Sequence, residues 1–432
     1  MRISKDQIDS FNQKNLTSHQ SSFGALSDTL TAQGLNVDEL VSKISKFHIA
    51  TPSWALGTGG TRFGRFPGGG EPATLEQKIE DVGILKALSN QTSSVSLHIP
   101  WDIPSDAAAI KAVASDVNIA FDAVNSNTFQ NSADGKNTPN GKSYKYGSLC
   151  HSDPEVRDQA IKHNLECIEY GQALGSKALT VWLADGSNFP GQANFRHQFQ
   201  RVLSSLQEIY KALPEDWYMF TEHKPFEPNF YSSVVNDWGS SLLLAKNTGE
   251  KCLCLVDLGH HLPNTNIEQV VSRVLMEGRL AGFHFNDSKY SDDDLTAGSL
   301  KPYQLFLIFN ELLDFLEGDE LENPDLAWMI DASHNVKDPM EDLLQSLDAI
   351  ALAYGQALLI DKKALQSAQD ENDVTIAQEI LQEAYRTDVR PLMAEARLRA
   401  GAALNPIKAY RDIDVRGGLI KERGSDSVSS GL

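Results

Sequence analysis

From about residue 47 onward the chain repeats one unit: a short apolar run rich in branched and aromatic residues, closed by a polar side chain, then a longer helix-like stretch. Alternation of this kind points to parallel β/α units, because each strand must be buried on both faces and each crossover needs a helix. The candidate strands are residues 47–52, leading to Trp54; 95–99, carrying His98; 119–124, ending at Asn125 and Asn127; and 178–183, carrying Trp182 and leading to Asp185. Then come 218–221, leading to Glu222 and Lys224; 252–256, leading to Asp257 and His260; 282–285, carrying His284; and 327–330, leading to Asp331. About eight such units are what a closed (β/α)8 TIM barrel of the α/β class requires. Asp153-Pro154-Glu155 opens one intervening segment as cap and first helical turn, and Gly175 closes it.

The units lie between two helical flanks. Residues 1–43 read as an N-terminal helical segment, with Phe23, Leu26 and Leu30 at helical spacing and Gly34 as a break. The catalytic barrel is expected over 44–357 and a C-terminal helical extension over 358–412, padding the barrel's flank or wrapping a neighbouring subunit. Residues 413–432, ending in a Ser- and Gly-rich run, are expected to be disordered. Residues 57–70 form a glycine-rich loop without the Lys-Ser/Thr ending of a phosphate loop. Its Phe63 and Phe66 suit either the cover of a pocket or plain surface packing.

Composition narrows the partners. The 432 residues are 41% hydrophobic, ample for a large core, and carry 58 acidic against 38 basic side chains, a formal charge of -20. That balance repels phosphate backbones and anionic leaflets, so neither nucleic acid nor membrane is an expected partner. Residues 1–15 are polar, with no export signal, and no run reaches the ~18 apolar residues of a membrane helix, so the expected compartment is the cytoplasm. Cys252 and Cys254, two apart in an apolar run, read as buried core thiols.

The chemistry concentrates at the strand ends. Glu222-His223-Lys224, Asp257-Leu258-Gly259-His260, Phe283-His284-Phe285, Asp292-Asp293-Asp294 and Asp331-Ala332-Ser333-His334 each have an ordinary reading alone: an ion pair, a capping acid, a core histidine, an acidic turn. Together they occupy one architectural position, the face of a barrel where strand ends converge. The joint reading is therefore a two-metal site built from Glu222, Asp257, His260, His284, Asp292, Asp294 and Asp331. Carboxylates with added imidazole favour Mn²⁺, Co²⁺ or Zn²⁺. Two such ions bind vicinal hydroxyls and polarise a carbonyl, and Lys224 adds a cation for a developing oxyanion, which is the equipment of aldose–ketose isomerisation. Trp54, Trp101 and Trp182 fit either a wall for a sugar's C–H face or core packing.

The Glu-x-Lys-Pro, Asp-x-x-His and Asp-x-Asp elements resemble those of xylose isomerase. The chain from about 40 to 412 is more similar to L-rhamnose isomerase, in its branch with broad aldose specificity. The resemblance is carried by the stretches 51–54, 57–63, 96–102, 125–129, 143–148, 178–182, 185–192, 222–224, 255–261, 282–290, 329–331 and 333–335. It implies a Mn²⁺-type enzyme, usually a homotetramer of barrels, interconverting L-rhamnose and L-rhamnulose by a 1,2-hydride shift. By that resemblance Glu222, Asp257, His284 and Asp331 hold a structural metal. His260, Asp292 and Asp294 hold a catalytic metal, with Asp257 as a bridge. Lys224 contacts O1 or O2, His98 with Asp331 assists ring opening, Ser333 joins a proton relay, and Trp54, Phe63, Phe129 and Trp182 shape the sugar pocket. The competing readings are a divalent-metal barrel hydrolase or endonuclease, which the acidic charge opposes, and a non-catalytic sugar-binding barrel, which Lys224 opposes.

Overall fold

The computed structural model describes residues 2–57, 66, 68–128, 142–227, 231–318, 322–332 and 336–425. Its strands are β1 (Thr51–Pro52), β2 (Ser94–Ile99), β3 (Ala120–Ser126), β4 (Ala178–Trp182), β5 (Tyr218–Glu222), β6 (Phe226–Glu227), β7 (Tyr231–Ser232), β8 (Cys252–Asp257), β9 (Leu280–Phe285) and β10 (Ala327–Ile330). Eight of these strands pair in parallel in the order β1-β2-β3-β4-β5-β8-β9-β10, and Ala50 closes the ring by bridging to Met329. The helix Pro154–Leu174 has the ends its sequence indicates: Asp153 accepts from the Glu155 amide and Gly175 takes a left-handed φ of 100°. The hairpin of β6 and β7 lies outside the barrel and was not foreseen from the sequence.

Side chains alternate across each parallel strand, and that period sorts the two faces. Cys252, Cys254 and Val256 of β8 point outward into the large core shared with the helices, as do Phe283 and Phe285 of β9. Ala50, Ala123, Ala178, Phe220, Leu253, Leu255, Ala281 and Met329 pack together as a separate inner cluster. Continuing the inward period to the strand ends gives Glu222 two beyond Phe220, Asp257 two beyond Leu255 and Asp331 two beyond Met329. The barrel interior is thus apolar over its middle and polar at the strand C-termini.

The flanks pack on the barrel and on each other. The helices Lys5–Ala32 and Val37–Lys46 contribute Leu30, Leu40, Val41 and Ile44 to a cluster with Leu392, Met393 and Ala396 of the helix Arg390–Arg399. Ala351, from the helix Pro339–Ala357 after the last strand, joins the same cluster. The expectation of disorder from 413 is corrected, because Val415–Arg423 is helical and buries Val415 and Leu419. No single helix among the described residues is long and apolar enough to cross a membrane.

Gly282 is required where it stands. Its φ is +141°, and a Cβ there would lie 1.9 Å from the Ala327 carbonyl oxygen of the adjacent strand. Gly282→Ala should therefore lower stability by more than about 2 kcal/mol, read as a shift in the urea midpoint, since the backbone of β10 cannot yield without breaking its pairing. An unchanged midpoint would contradict this account of the β9–β10 contact.

Candidate metal centre

Glu222, Asp257, His284 and Asp331 each offer one ligand atom, and the four atoms lie within 4.8 Å of one another. Three parallel pairings set this: Glu222 is in register with Leu255, Asp257 with His284, and Met329 with His284. His284 Nδ1 lies 3.2 Å from Glu222 Oε1, 3.9 Å from Asp257 Oδ2 and 3.7 Å from Asp331 Oδ2. Asp257 Oδ1 accepts from the Gly259 amide at 2.7 Å and Asn286 Nδ2 at 2.9 Å, which fixes the carboxylate and leaves Oδ2 buried without a hydrogen bond. A buried carboxylate oxygen with no hydrogen bond, near two further acids and the His284 and His260 imidazoles, suits a cation.

The second expected set is only partly assembled. His260 Nε2 lies 2.9 Å from Asp292 Oδ1, while its Nδ1 lies 3.1 Å from Glu222 Oε1 and 4.0 Å from Asp257 Oδ2. Asp292 and Asp294 both take left-handed backbone, with φ of 53° and 50°. That conformation is costly for a residue bearing a Cβ and concentrates at functional turns. Asp293 between them is a scaffold acid, accepting the amides of Lys289, Tyr290 and Ser291 at 2.8–3.2 Å. Asp294 is half-buried and stands outside the four-residue cluster.

Lys224 is fully buried and its ammonium contacts Glu227 Oε2 at 2.9 Å and Asp292 Oδ2 at 2.5 Å, with the Trp182 ring 5.1 Å away. It forms ion pairs with Glu227 and with Asp292, the former three residues on and the latter from a distant loop. Glu227 reaches it because β6 pairs with β7, which in turn is tied to the loop after β4 by the Ser187 amide to the Ser232 carbonyl. Nothing local in the sequence signals Glu227 except its place three residues beyond the lysine.

The wall at β1 and β2 is aromatic. Trp54 is buried and donates from Nε1 to Asp331 Oδ1 at 2.8 Å, edge-on to His98 at 5.5 Å and to His284 at 6.4 Å. Trp54 thus lies against both His98 and Asp331. The Trp101 ring lies 4.3 Å from the His98 ring, tilted by 38°, and the Trp182 ring lies 6.5 Å from that of His260 at 28°. Behind His98 stands Asp102, an acid the sequence reading passed over. It accepts from Ser53 Oγ at 2.5 Å, from the His98 amide at 2.8 Å and from buried Lys78 at 2.7 Å. Phe63, Phe129 and Ser333 lie outside the described residues.

Charge balance follows from burial. Burial alone would lower the His284 pKa, but Glu222, Asp331 and Asp257 outweigh it and hold the imidazolium up to about 10. Burial and the neighbouring acids Glu222 and Asp331 push Asp257 up to about 6. Glu222 is held well below the carboxylate range, since the two histidines overcome its desolvation. Burial pulls His98 down to about 3, so its imidazole is neutral at pH 7.

The sequence matches the xylose isomerase-like TIM barrel family over residues 95–350, and the chain belongs to that family. It is 50% identical over 429 residues to a probable sugar isomerase of Mesorhizobium japonicum, covering 99% of this chain and 98% of that one. It is 51% identical over 423 residues to a probable sugar isomerase of Rhizobium meliloti, covering 98% and 97%. Among solved structures, L-ribulose 3-epimerase shares the fold at 11% identity, with a TM-score of 0.50 over 76% of this chain and 98% of that one.

A cation entering among the four ligands must displace the His284 proton. Calorimetric titration with Mn²⁺ at pH 8 in buffers of different ionisation enthalpy should report about one proton released per ion at this centre. Affinity should fall about tenfold per pH unit below the His284 pKa, and more steeply below about pH 6 where Asp257 also takes up a proton. A buffer-independent enthalpy at pH 8 would rule out His284 Nδ1 as a ligand.

Proposed function

We propose that this protein is a metal-dependent aldose–ketose isomerase, interconverting L-rhamnose and L-rhamnulose and accepting other aldoses. The observation that carries the reading is the convergence of Glu222, Asp257, His284 and Asp331 beside a buried lysine. The two probable sugar isomerases, similar over nearly the whole chain, support the reaction class. The choice of L-rhamnose, Mn²⁺ as the preferred ion and a homotetramer rest on the resemblance to L-rhamnose isomerase.

In this reading Glu222, Asp257, His284 and Asp331 would hold one ion, and His260, Asp292 and Asp294 would hold a second. The bound ions supply Lewis acidity and anchor vicinal hydroxyls. Ring opening breaks C1–O5 and carries the O1 proton to O5. His98 takes the O1 proton and the same proton is handed on to O5, with Asp331 nearby and Ser333 joining the relay. A hydride then moves from C2 to C1 while the O2 proton passes to O1, so the aldehyde becomes a primary alcohol and C2 becomes the ketone. Lys224 donates to the oxygen that carries negative charge during that transfer, held in place by Glu227 and Asp292. Trp54, Phe63, Phe129 and Trp182 bound the sugar.

Assay of an aldose panel against added Mn²⁺, Co²⁺ and Zn²⁺ tests the substrate class, and no turnover of any aldose would sink the reading. The double change Asp292→Ala with Asp294→Ala should lower kcat at least about a hundredfold. Near-normal turnover would remove both from the site. Turnover in tritiated water should leave C1 and C2 unlabelled, and label at either carbon would replace the hydride shift by proton transfer.

A further inference from the structure

The last helix among the described residues, Val415–Arg423, lies across the end of the glycine-rich loop that follows β1. Gly69 and Gly70 both have positive φ, 88° and 74°. A Cβ on Gly70 would lie 2.7 Å from the backbone of Leu419 and Ile420, and one on Gly69 3.2 Å from the Ile420 side chain. The Gly70 amide donates to the Gly424 carbonyl at 2.9 Å. The two glycines are thus explained by backbone-to-backbone approach of this helix.

Two arginines lock the contact. The side chain of Arg423 is largely covered, forms paired hydrogen bonds to the buried carboxylate of Asp81 at 2.8 and 2.9 Å, and reaches the Gly70 carbonyl at 3.3 Å. Arg416 donates to the Gly69 carbonyl at 3.1 Å and, from the same guanidinium, to Asp338 Oδ1 at 2.6 Å and Oδ2 at 2.8 Å. Asp338 caps the helix that follows β10, and Tyr410 also donates to it at 2.8 Å. Arg416 therefore joins the far ends of the loops after β1 and β10. Those two strands close the barrel, and their ends carry Trp54 and Asp331, which are hydrogen-bonded to each other.

We infer that the C-terminal helix is a clasp on the barrel seam and that Arg416 is a positioning residue, holding Asp331 and Trp54 in register for the metal centre. A planar guanidinium is suited to the task, since it can grip a carboxylate with two bonds and spare a third donor for a carbonyl. The inference rests on the proposed metal site for its consequence, but its geometry does not.

The test compares Arg416→Met and Arg416→Lys with Arg411→Ala, which removes an exposed ion pair to Glu341 and serves as the control. In the full-length protein, Arg416→Met should speed hydrogen exchange at the Ala50, Gly70 and Ile330 amides about tenfold over any global change. It should weaken Mn²⁺ binding roughly threefold to tenfold and lower kcat more than it raises KM. Arg416→Lys, which keeps charge but loses the three-way bridge, should fall between, and it stands in if the methionine variant does not fold. Arg411→Ala should leave all three readouts within twofold. A lowered Tm with seam exchange and Mn²⁺ affinity unchanged would show a merely structural arginine and overturn the inference. Failure of the unaltered protein to bind Mn²⁺ would instead count against the metal reading, and the exchange rates would still decide the clasp.

Discussion

Three carboxylates share one imidazole nitrogen at the mouth of this barrel, and the surrounding architecture is arranged to keep them there. Gathering Glu222, Asp257 and Asp331 around His284 Nδ1 in a desolvated space is unfavourable unless cations balance them. A proton on His284 supplies one positive charge, and Lys224 is already engaged by Glu227 and Asp292. Unfolding would relieve the repulsion, so the frame must be stiff enough to resist it. A closed parallel barrel provides that stiffness, because every strand bearing one of these residues is paired on both sides.

The acids near the site divide into two kinds by what they accept. Asp102, Asp185, Asp287 and Asp293 take backbone amides and hold loops in shape: Asp185 ties down Ser148 and Cys150, and Asp287 ties down Leu300 and Lys301. Glu222, Asp257 Oδ2, Asp292 and Asp331 face imidazoles, an ammonium or an indole N–H instead. The first kind is met by fixed dipoles, joined at Asp102 by the Lys78 ammonium, and needs no metal ion. The second kind leaves negative charge directed at one small volume, and this division, more than the number of acids, marks the centre.

The repeated strand and helix units made the barrel legible, and the polar strand ends gave seven candidate ligands, from which the resemblance divided off Glu222, Asp257, His284 and Asp331. The alternation within the run 292–294 set Asp292 and Asp294 apart from Asp293, while the scaffold role of Asp293, as acceptor of three backbone amides, was not legible because it depends on the turn of the backbone. Glu227 and Asp102 were missed for a related reason: their roles come from a hairpin contact and a cross-strand network, not from local spacing. The terminal helix was missed because Gly417 and Gly418 give it little intrinsic helicity. Its order comes from Arg416, Arg423 and the buried Leu419, all long-range contacts.

The seam between β1 and β10 is where the barrel is thinnest. β1 is two residues long, and Pro52 has no amide to donate to a neighbour. Across this seam, Ala50 receives from the Ile330 amide at 3.0 Å and donates to Trp328 at 2.7 Å. Yet Asp331, the least buried of the four ligands, stands at that edge, with a side chain 23% exposed while the other three are nearly sealed. A ligand at a short, proline-bearing edge cannot owe its position to sheet pairing alone. The indole of Trp54 supplies one cross-seam bond at the ligand itself, and the guanidinium of Arg416 supplies others at the far ends of the two loops. The centre therefore depends on two kinds of support: strand register for Glu222, Asp257 and His284, and tertiary contacts reaching to the end of the chain for Asp331.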